Sequence, residues 1–550
     1  MPGRRHCCLP VCLVARSAGL TDRSAIHFVC RLGAGRDALR EDAVPSLPPE
    51  YLDSKTPADV IVTDVGRARI MDPTLETPLG ELPPGAAPPP DHPVNPLVTI
   101  GDSLTHGMSS AAVFHTNLSW PAQVAGALTL QPFDVPSYGG PLDGLPVNLE
   151  NLARLLEDKF GSDLSTWEML QAAVVLRSIL DKNEDYWERG AGATPRTDVR
   201  YHNLGIYGWD LRDTLSYDAG QAVHNAKDQR DDFIALKPDH DNDIAAASVL
   251  VPFGIDATQI SAATWHGTNG GIGTLVLALG ANNALGAVVG KQVCWSGHGF
   301  NSLVGKAKYN VWTPTHFAAE YAEVVRLLKT IPAQRVVLCT VPHVTIAPIA
   351  RGVNPAQPGE KWQPGSRFFP YYTDPWIDDT NFRTDKHRYI THQQARAIDS
   401  AIDQYNDTIA DAVRASRREG RDWFLLDACG LLDSLAYRRY GDDKIAAERN
   451  HWVPYVLPEP IKDLDTRFFI STAAGRKQGG LFGLDGIHPT IVGYGILADE
   501  VLRVLAVAGL PQRSIDFQQL LGADSLNSRP PAVIEQALAL LHQIAGLFLK

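Results

Sequence analysis

The chain has 550 residues, of which 44% are hydrophobic and 20% are charged, as is ordinary for globular proteins. Its 62 acidic residues outnumber the 50 basic ones and give a net charge of −12. Because phosphate binding depends on clustered Lys and Arg, this balance argues against nucleic acid or an anionic membrane surface as the main partner.

Residues 1–30 leave the location of the protein open. Arg4 and Arg5 precede a short apolar run that weakly resembles a secretory signal, but Pro10 interrupts the run and no clear cleavage site follows. A signal, a disordered tail and a start that is not used in the cell are all compatible with this segment, so the soluble protein could be cytoplasmic or secreted. The seven cysteines show no paired spacing, and we expect mostly free thiols.

The composition divides the chain into three regions. Residues 1–95 are predicted to form an extended, proline-rich arm, because nine prolines between residues 72 and 96 exclude a helix or a central strand. Residues 96–510 alternate short apolar runs with longer helical stretches, a pattern typical of parallel strands joined by crossovers. Residues 511–550 are predicted to form a helical extension that packs on the core or on a second subunit, and the oligomeric state stays open.

Five strands and four helices can be placed along the chain. The predicted strands are Leu97–Ile100, Val199–Ile206, Thr274–Leu279, Arg335–Val341 and Trp423–Asp427. The predicted helices are Ser110–Leu128, Phe317–Thr330, Gln393–Arg414 and Ile491–Ala508. The intervals between the strands exceed the thirty or so residues that a strand–helix–strand unit needs, which predicts long insertions over one end of the sheet. No segment has the composition of a membrane span.

The strongest motif is Val98-Thr-Ile-Gly-Asp-Ser-Leu-Thr-His-Gly107. An apolar strand ends there, a glycine permits a sharp turn, and Ser103 lies where a helix should begin. Open α/β sheets bind ligands at this edge, and free backbone N–H groups at a helix start can stabilise a developing oxyanion. Ser103 is therefore a candidate nucleophile.

A candidate base occurs near the C-terminus, in Asp485-Gly-Ile-His-Pro-Thr490. A serine hydroxyl is a poor nucleophile until a base takes its proton, and an imidazole needs a fixed tautomer to act as that base. Asp485 can accept from one ring nitrogen of His488 and leave the other nitrogen for Ser103. Since the chain has 17 histidines, it is the Asp-x-x-His-Pro context that selects His488.

Two weaker motifs offer oxyanion donors. Gly280-Ala-Asn-Asn283 puts the amide of Asn282 at the end of a buried strand, and Asn203-Leu-Gly-Ile-Tyr-Gly208 puts a glycine N–H at the end of another. Taken alone, each is explained more simply by turn glycines and a capping Asn.

Together, in the order Ser103, Gly208, Asn282 and Asp485-x-x-His488, these motifs resemble the GDSL/SGNH hydrolase family over roughly residues 96–510. The resemblance implies a three-layer α/β/α, flavodoxin-like core with a five-stranded parallel sheet and long insertions. It also implies Ser103 as nucleophile, His488 as base, Asp485 as the orienting carboxylate, and an oxyanion hole made by Ser103, Gly208 and Asn282.

Two positions qualify the match. Asn283 stands where the family usually has Asp, and Gly205 is a second candidate for the oxyanion glycine. The implied activity is that of an esterase or lipase, which hydrolyses carboxylic esters through an acyl-enzyme without metal or cofactor. Small-molecule, lipid and glycan esters all stay open as substrates. An acyltransferase that uses the same site, or a non-catalytic binding protein on the same scaffold, remains an alternative.

Other motifs favour less specific interpretations. The stretch Asp239–Asp243 opens like a calcium loop, but Ile244 and Leu250 stand where glycine and glutamate belong, so we expect a solvated acidic turn. Cysteines near the N-terminus lack zinc spacing, and no Gly-x-Ser-x-Gly elbow occurs. The aromatic-rich insertion 361–382 could anchor a loop, stack against sugars or cover an acyl chain.

Overall fold

A four-stranded parallel sheet lies at the centre of the protein in the computed structural model, which describes residues 47–162, 166–227, 237–356, 365–437, 439, 444–450, 452–532 and 534. The strands of the described residues are β1 (Asn95–Gly101), β2 (Met108–Ser109), β3 (Ala112–Val113), β4 (Leu145–Pro146), β5 (Ile272–Ala278), β6 (Ala333–Cys339), β7 (Arg351–Val353), β8 (Tyr371–Thr373), β9 (Ile390–Thr391), β10 (Trp423–Leu426), β11 (Ile470–Thr472) and β12 (Gly475–Gln478). The central sheet has the order β1-β5-β6-β10, and the short strands form three small antiparallel sheets.

The α-helices of the described residues are α1 (Ser103–His106), α2 (Trp120–Ala127), α3 (Leu149–Phe160), α4 (Thr166–Glu188), α5 (Leu211–Ser216), α6 (Ala219–Asn225), α7 (Asp241–Leu250), α8 (Gln259–Thr268), α9 (Asn282–Gly290), α10 (Leu303–Lys306), α11 (Pro314–Leu328), α12 (His392–Arg418), α13 (Ala428–Leu435), α14 (Lys444–Arg449), α15 (Ile491–Val507), α16 (Phe517–Ala523) and α17 (Ser525–Ser528). Among them, no helix combines the length and the hydropathy needed to cross a membrane.

Helices cover both faces of the central sheet. Successive strand residues point to opposite faces, so that Val98 and Leu275 belong to one buried cluster whereas Leu97 and Val276 belong to another. Helices α8, α11 and α12 contribute to the first cluster, and α2 and α15 contribute to the second. Because both faces are buried, the strands consist of nearly continuous apolar residues, which is why the sequence identifies them.

Four of the five predicted strands are present, and the fifth, Val199–Ile206, is wrong as a regular strand. This segment runs beside β1 and forms one isolated parallel bridge, between Thr99 and Asn203. Hydrogen bonds also join Leu204 N–H to Thr99 and Ile206 N–H to Gly101. The segment also bonds elsewhere: Gly205 N–H donates to the Asn203 side chain, Gln259 donates to the Leu204 carbonyl, and the N–H groups of His202 and Asn203 donate to the Asp134 carbonyl. The pairing with β1 is therefore short and does not form a regular strand.

Three predicted helices correspond to α11, α12 and α15, whereas the prediction of a helix over Ser110–Leu128 is wrong over its first half. Ser110 and Ala111 have φ values of 47° and 63°, in the left-handed region, and form the turn between β2 and β3. Helix α2 begins only at Trp120, with Pro121 in its first turn, where proline is favoured.

The described part of the arm lies along α12. The Arg396 guanidinium donates to the Asp64 carboxylate at 2.9 Å, and Arg417 donates to the Thr77 carbonyl at 2.7 Å. Residues 49–94 form only one short 3₁₀-helix and are otherwise irregular. The prolines prevent regular backbone hydrogen bonding in this segment, and polar side chains of α12 bind its backbone groups instead. Predictions for residues 1–30 and for most of Pro531–Lys550 concern segments outside the described residues.

The aromatic insertion anchors its loop to the body in the part that the structure describes. Phe368, Phe369, Tyr372 and Phe382 are all buried. Trp376 is 46% exposed, and Trp362 lies outside the described residues. The buried rings pack around β7, β8 and β9, so the anchoring interpretation fits these four aromatics.

Candidate active site

Ser103 follows β1 after a single residue and begins the four-residue helix α1. The Asp102 side chain caps this turn by accepting the Leu104 N–H at 3.0 Å. A Cβ at Gly101 would lie 2.1 Å from Thr105 Oγ1 and 2.6 Å from the Ala278 carbonyl oxygen, so only glycine fits there. The chain can therefore turn sharply enough to present Ser103 at the carboxyl end of the sheet.

A continuous hydrogen-bond relay joins Ser103, His488 and Asp485. His488 Nε2 lies 2.8 Å from Ser103 Oγ, and His488 Nδ1 lies 2.9 Å from Asp485 Oδ2. With the Nδ1 proton donated to the carboxylate, Nε2 is left as an acceptor for the serine hydroxyl. The side chains of the relay are nearly buried, with Ser103 5% and His488 7% exposed. This geometry suits transfer of the serine proton to the imidazole.

Asp485 is held in place by three backbone N–H groups. Oδ1 accepts from Ile487 at 2.7 Å and from His488 at 2.9 Å, while Oδ2 accepts from Ala111 at 2.6 Å. Burial raises the pKa of this carboxyl, but the neighbouring His488 and the backbone hydrogen bonds outweigh burial and lower the pKa below its usual value. Asp485 therefore stays ionised and orients the imidazole.

The turn at Ser110 and Ala111 supports this carboxylate, and the sequence analysis missed it. Both residues adopt positive φ, which aims the Ala111 N–H at Asp485. Ser110 Oγ also accepts the Leu484 N–H at 3.1 Å and so ties the turn to the Asp485 loop. Neither residue is the glycine or asparagine that usually marks such a backbone, so the sequence contains no signal for the turn.

Gly208 lies in a loop that runs beside the Ser103 turn. Ile206 N–H binds the Gly101 carbonyl, so Gly208 and Ser103 each lie two residues beyond a paired position. Gly208 has a φ of 78°, and a Cβ there would lie 2.9 Å from Asn242 Nδ2. Within the described residues, the N–H groups of Gly208 and Ser103 have no hydrogen-bond acceptor, so both are available to a ligand.

Gly205 is the second candidate for the oxyanion glycine, but its N–H already has a hydrogen-bond acceptor. Its N–H donates to Asn203 Oδ1 at 3.0 Å. A Cβ at this position would lie 2.3 Å from the His106 backbone nitrogen. Gly205 therefore permits the close approach of two backbone segments, and Gly208 is the glycine with a free N–H.

Asn282 begins α9 directly after β5 and its loop. Its Nδ2 donates one proton to the Trp209 carbonyl at 2.8 Å, next to Gly208, which leaves the second amide proton for a ligand. Asn282, Ser103 and His488 line the same cavity. Asn283 is fully buried, and its side-chain oxygen and nitrogen have no hydrogen-bond partner within the described part of the chain.

An apolar cavity of about 140 Å³ adjoins these three residues, and the sequence analysis missed it. Its walls come from residues 342–347, α13 and residues 481–497, which are far apart in the sequence. Since each segment is an ordinary buried apolar stretch by itself, only the fold brings them together.

His343, Cys429 and Asp433 form a buried group whose ligand-type atoms lie within 4.8 Å of one another. The His343 ring lies between two carboxylates, with Nδ1 3.0 Å from Asp433 and Nε2 3.4 Å from Asp403. The guanidinium of Arg439 lies 3.8 Å from Asp433 and would repel a divalent cation. We therefore interpret this group as a charge-balanced ion cluster.

The expected solvated acidic turn at Asp239–Asp243 is wrong for two of its residues. Asp241 and Asp243 are buried at the start of α7. Asp241 accepts from the Tyr207 hydroxyl at 2.9 Å, and Asp243 accepts from the Tyr217 hydroxyl. These bonds, together with the favourable position of acidic groups at a helix start, explain why the two carboxylates are buried.

Comparison with known proteins finds no match: no family model, no curated protein and no solved structure is significantly similar to this chain.

Proposed function

We propose that this protein is a serine hydrolase of the GDSL/SGNH type that cleaves carboxylic esters through an acyl-enzyme on Ser103. The observation that carries the proposal is the relay from Asp485 Oδ2 through His488 to Ser103 Oγ, with separations of 2.9 and 2.8 Å. A buried serine bonded to an oriented imidazole is the arrangement that nucleophilic catalysis requires.

In the first half-reaction, Ser103 Oγ attacks the ester carbonyl carbon while His488 Nε2 takes the hydroxyl proton. The oxyanion is stabilised by the N–H groups of Ser103 and Gly208 and by the free amide proton of Asn282. His488 then gives its proton to the leaving alcohol. In the second half-reaction, His488 takes a proton from water as the water attacks the acyl carbon. His488 then returns this proton to Ser103 Oγ as the bond to the acyl carbon breaks and the carboxylic acid leaves.

We also propose that the core is a flavodoxin-like, three-layer α/β/α sheet. Support comes from the segment that pairs with β1 through Leu204 and Ile206. If this segment is taken as the second strand, the spatial order of the five elements becomes 2-1-3-4-5, which is that of flavodoxin-like folds. The residues of the relay then lie at the carboxyl edge of the sheet, where such folds bind ligands.

A fluorophosphonate probe tests the activity directly. We expect the wild-type protein to be labelled, Ser103→Ala not to be labelled, and His488→Ala to be labelled far more slowly. The matched control is Ser54→Ala, which removes an exposed hydroxyl of the arm and should label as the wild type does. Equal labelling of Ser103→Ala would contradict Ser103 as the nucleophile. No labelling of correctly folded wild-type protein would contradict the hydrolase and favour a binding protein.

A further inference from the structure

The cavity beside Ser103 is lined mainly by apolar side chains. Its wall includes Val344, Leu431, Leu435, Phe482 and Ile496. None of the described residues that line it is Lys, Arg, Asp or Glu. The polar residues of the lining are Ser103, Asn282, His343, Thr466 and His488, and Ser103 and His488 are bonded to each other at 2.8 Å. Because most of the lining is apolar, the cavity fits best a hydrocarbon that carries its polar group at one end, next to Ser103.

The wall belongs to the buried core. Leu431, Phe482 and Ile496 are at most 7% exposed and pack in one cluster with Leu481 and Val492. A cavity bounded by core side chains holds its shape, so it can select by size. It is also a poor route for the exchange of alcohol and water, which must reach His488 in every turnover. An acyl chain, in contrast, enters once and stays bound through both half-reactions.

We infer that this cavity is the acyl-binding pocket and that the protein prefers esters of medium-chain fatty acids; the inference rests on the proposed function. A cavity of about 140 Å³ has room for roughly five methylene-sized groups, if each takes the ~30 Å³ that a water occupies in the liquid. If the last of these groups is the terminal methyl and the carbonyl carbon lies at Ser103, this volume fits an acyl chain of about six carbons.

A series of p-nitrophenyl esters with acyl chains from acetyl to dodecanoyl tests the pocket. We expect kcat/KM to rise about fourfold for each added methylene, which corresponds to ~0.8 kcal/mol, until the pocket is full, and then to level off or fall. A series of alkyl acetates reverses the roles of acid and alcohol. If chain length matters there and not in the acyl series, the pocket holds the alcohol and the inference is wrong.

Two substitutions of Leu435 should shift the preferred acyl-chain length in opposite directions. Leu435→Trp fills the pocket and should lower the ratio of octanoyl to acetyl hydrolysis by about tenfold or more. Leu435→Ala enlarges the pocket and should shift the optimum towards longer chains. Leu52→Trp is the matched control, because Leu52 is 43% exposed and lies in the arm; it should leave both rates unchanged.

The outcomes separate the two proposals. Hydrolysis of short esters with no dependence on acyl length would overturn the pocket and leave the serine hydrolase intact. Absence of both hydrolysis and fluorophosphonate labelling would overturn the hydrolase, and the acyl pocket with it. An unchanged octanoyl-to-acetyl ratio in a folded Leu435→Trp protein would also overturn the pocket.

Discussion

The backbone N–H of Ala111 lies 2.6 Å from Asp485 Oδ2, the same oxygen that accepts the Nδ1 proton of His488. One carboxylate oxygen therefore receives two donors, one from the turn after Ser103 and one from the proposed base. The contact links two segments of the site that are 374 residues apart in the sequence. Because the N–H groups of Ala111, Ile487 and His488 fix the carboxylate, it can hold the imidazole in a single orientation.

Replacing this oxygen should disable the relay while the fold persists. In Asp485→Asn, the amide cannot accept from both Ala111 N–H and His488 Nδ1 while it also accepts from Ile487. We expect kcat/KM for a reactive ester to fall by roughly a thousandfold to ten-thousandfold, because the imidazole loses its tautomer. Steady-state kinetics measure this loss, and circular dichroism checks the fold. A loss below tenfold would show that Asp485 does not orient the base.

Asn282 and Asn283 form a matched pair of adjacent residues. Asn282→Ala removes the free amide proton and should lower kcat by about a hundredfold or more with a smaller effect on KM, as for the loss of an oxyanion donor. Asn283→Ala removes two buried polar atoms that have no partner within the described residues, so kcat should stay within about twofold of wild type. Equal effects of the two substitutions on kcat would contradict the assignment of Asn282.

The two glycines of the Gly208 loop should respond differently to alanine. Gly208→Ala puts a Cβ at a φ of 78° and 2.9 Å from Asn242 Nδ2, which should lower the free energy of unfolding by about 1–2 kcal/mol and displace an oxyanion donor. Gly205→Ala forces a Cβ to within 2.3 Å of the His106 nitrogen, which should destabilise the fold by about 3 kcal/mol or more. Denaturant unfolding and ester kinetics measure both. A Gly208→Ala protein with wild-type kcat would remove Gly208 from the oxyanion hole.

Asp102 should make the stability of the protein depend on pH. Burial raises the pKa of this carboxyl from 3.8 to about 6. The folded state therefore binds the Asp102 proton more tightly than the unfolded state does. The stabilisation of the fold by this proton is fully present below pH 3.8 and is lost as the pH rises through about 6.

Asp102→Asn keeps a side-chain acceptor for the Leu104 N–H but cannot ionise. We therefore expect the variant to gain stability relative to wild type between about pH 4 and pH 7, by up to about 3 kcal/mol. Urea unfolding of both proteins at several pH values gives this difference. A difference that stays constant over the range would contradict a raised pKa at Asp102.

The central sheet was predictable because its strands are continuous apolar runs. The four predicted strands that the sheet contains match β1, β5, β6 and β10 to within two residues at each end. Val199–Ile206 is more polar, since it contains Arg200, His202 and Asn203. The side chains of Asn203 and Gln259 bind part of its backbone, which the sequence pattern does not reveal. Likewise, the pattern over Ser110–Leu128 does not reveal the left-handed turn at Ser110 and Ala111.

The side chains of the candidate site could be predicted from the sequence. The backbone contact that fixes Asp485 and the wall of the cavity could not. Ser103 and the Asp485–His488 pair occur in local motifs, so the sequence indicates them directly. The Ala111 N–H is a backbone group, which any residue could supply, and no side chain marks it. The cavity wall brings Val344, Leu435 and Ile496 together from three distant segments, and their proximity depends on the complete fold.

Ser103 and His488 are separated by 385 positions in the sequence, which has a consequence for the newly made protein. During translation the proposed nucleophile leaves the ribosome long before the proposed base is made, by roughly 20–80 s at 5–20 residues per second. A hydroxyl without an imidazole attacks esters very slowly. A ribosome-bound chain, or one that ends early, should therefore be chemically silent, and ester turnover should begin only when synthesis of the polypeptide is almost complete.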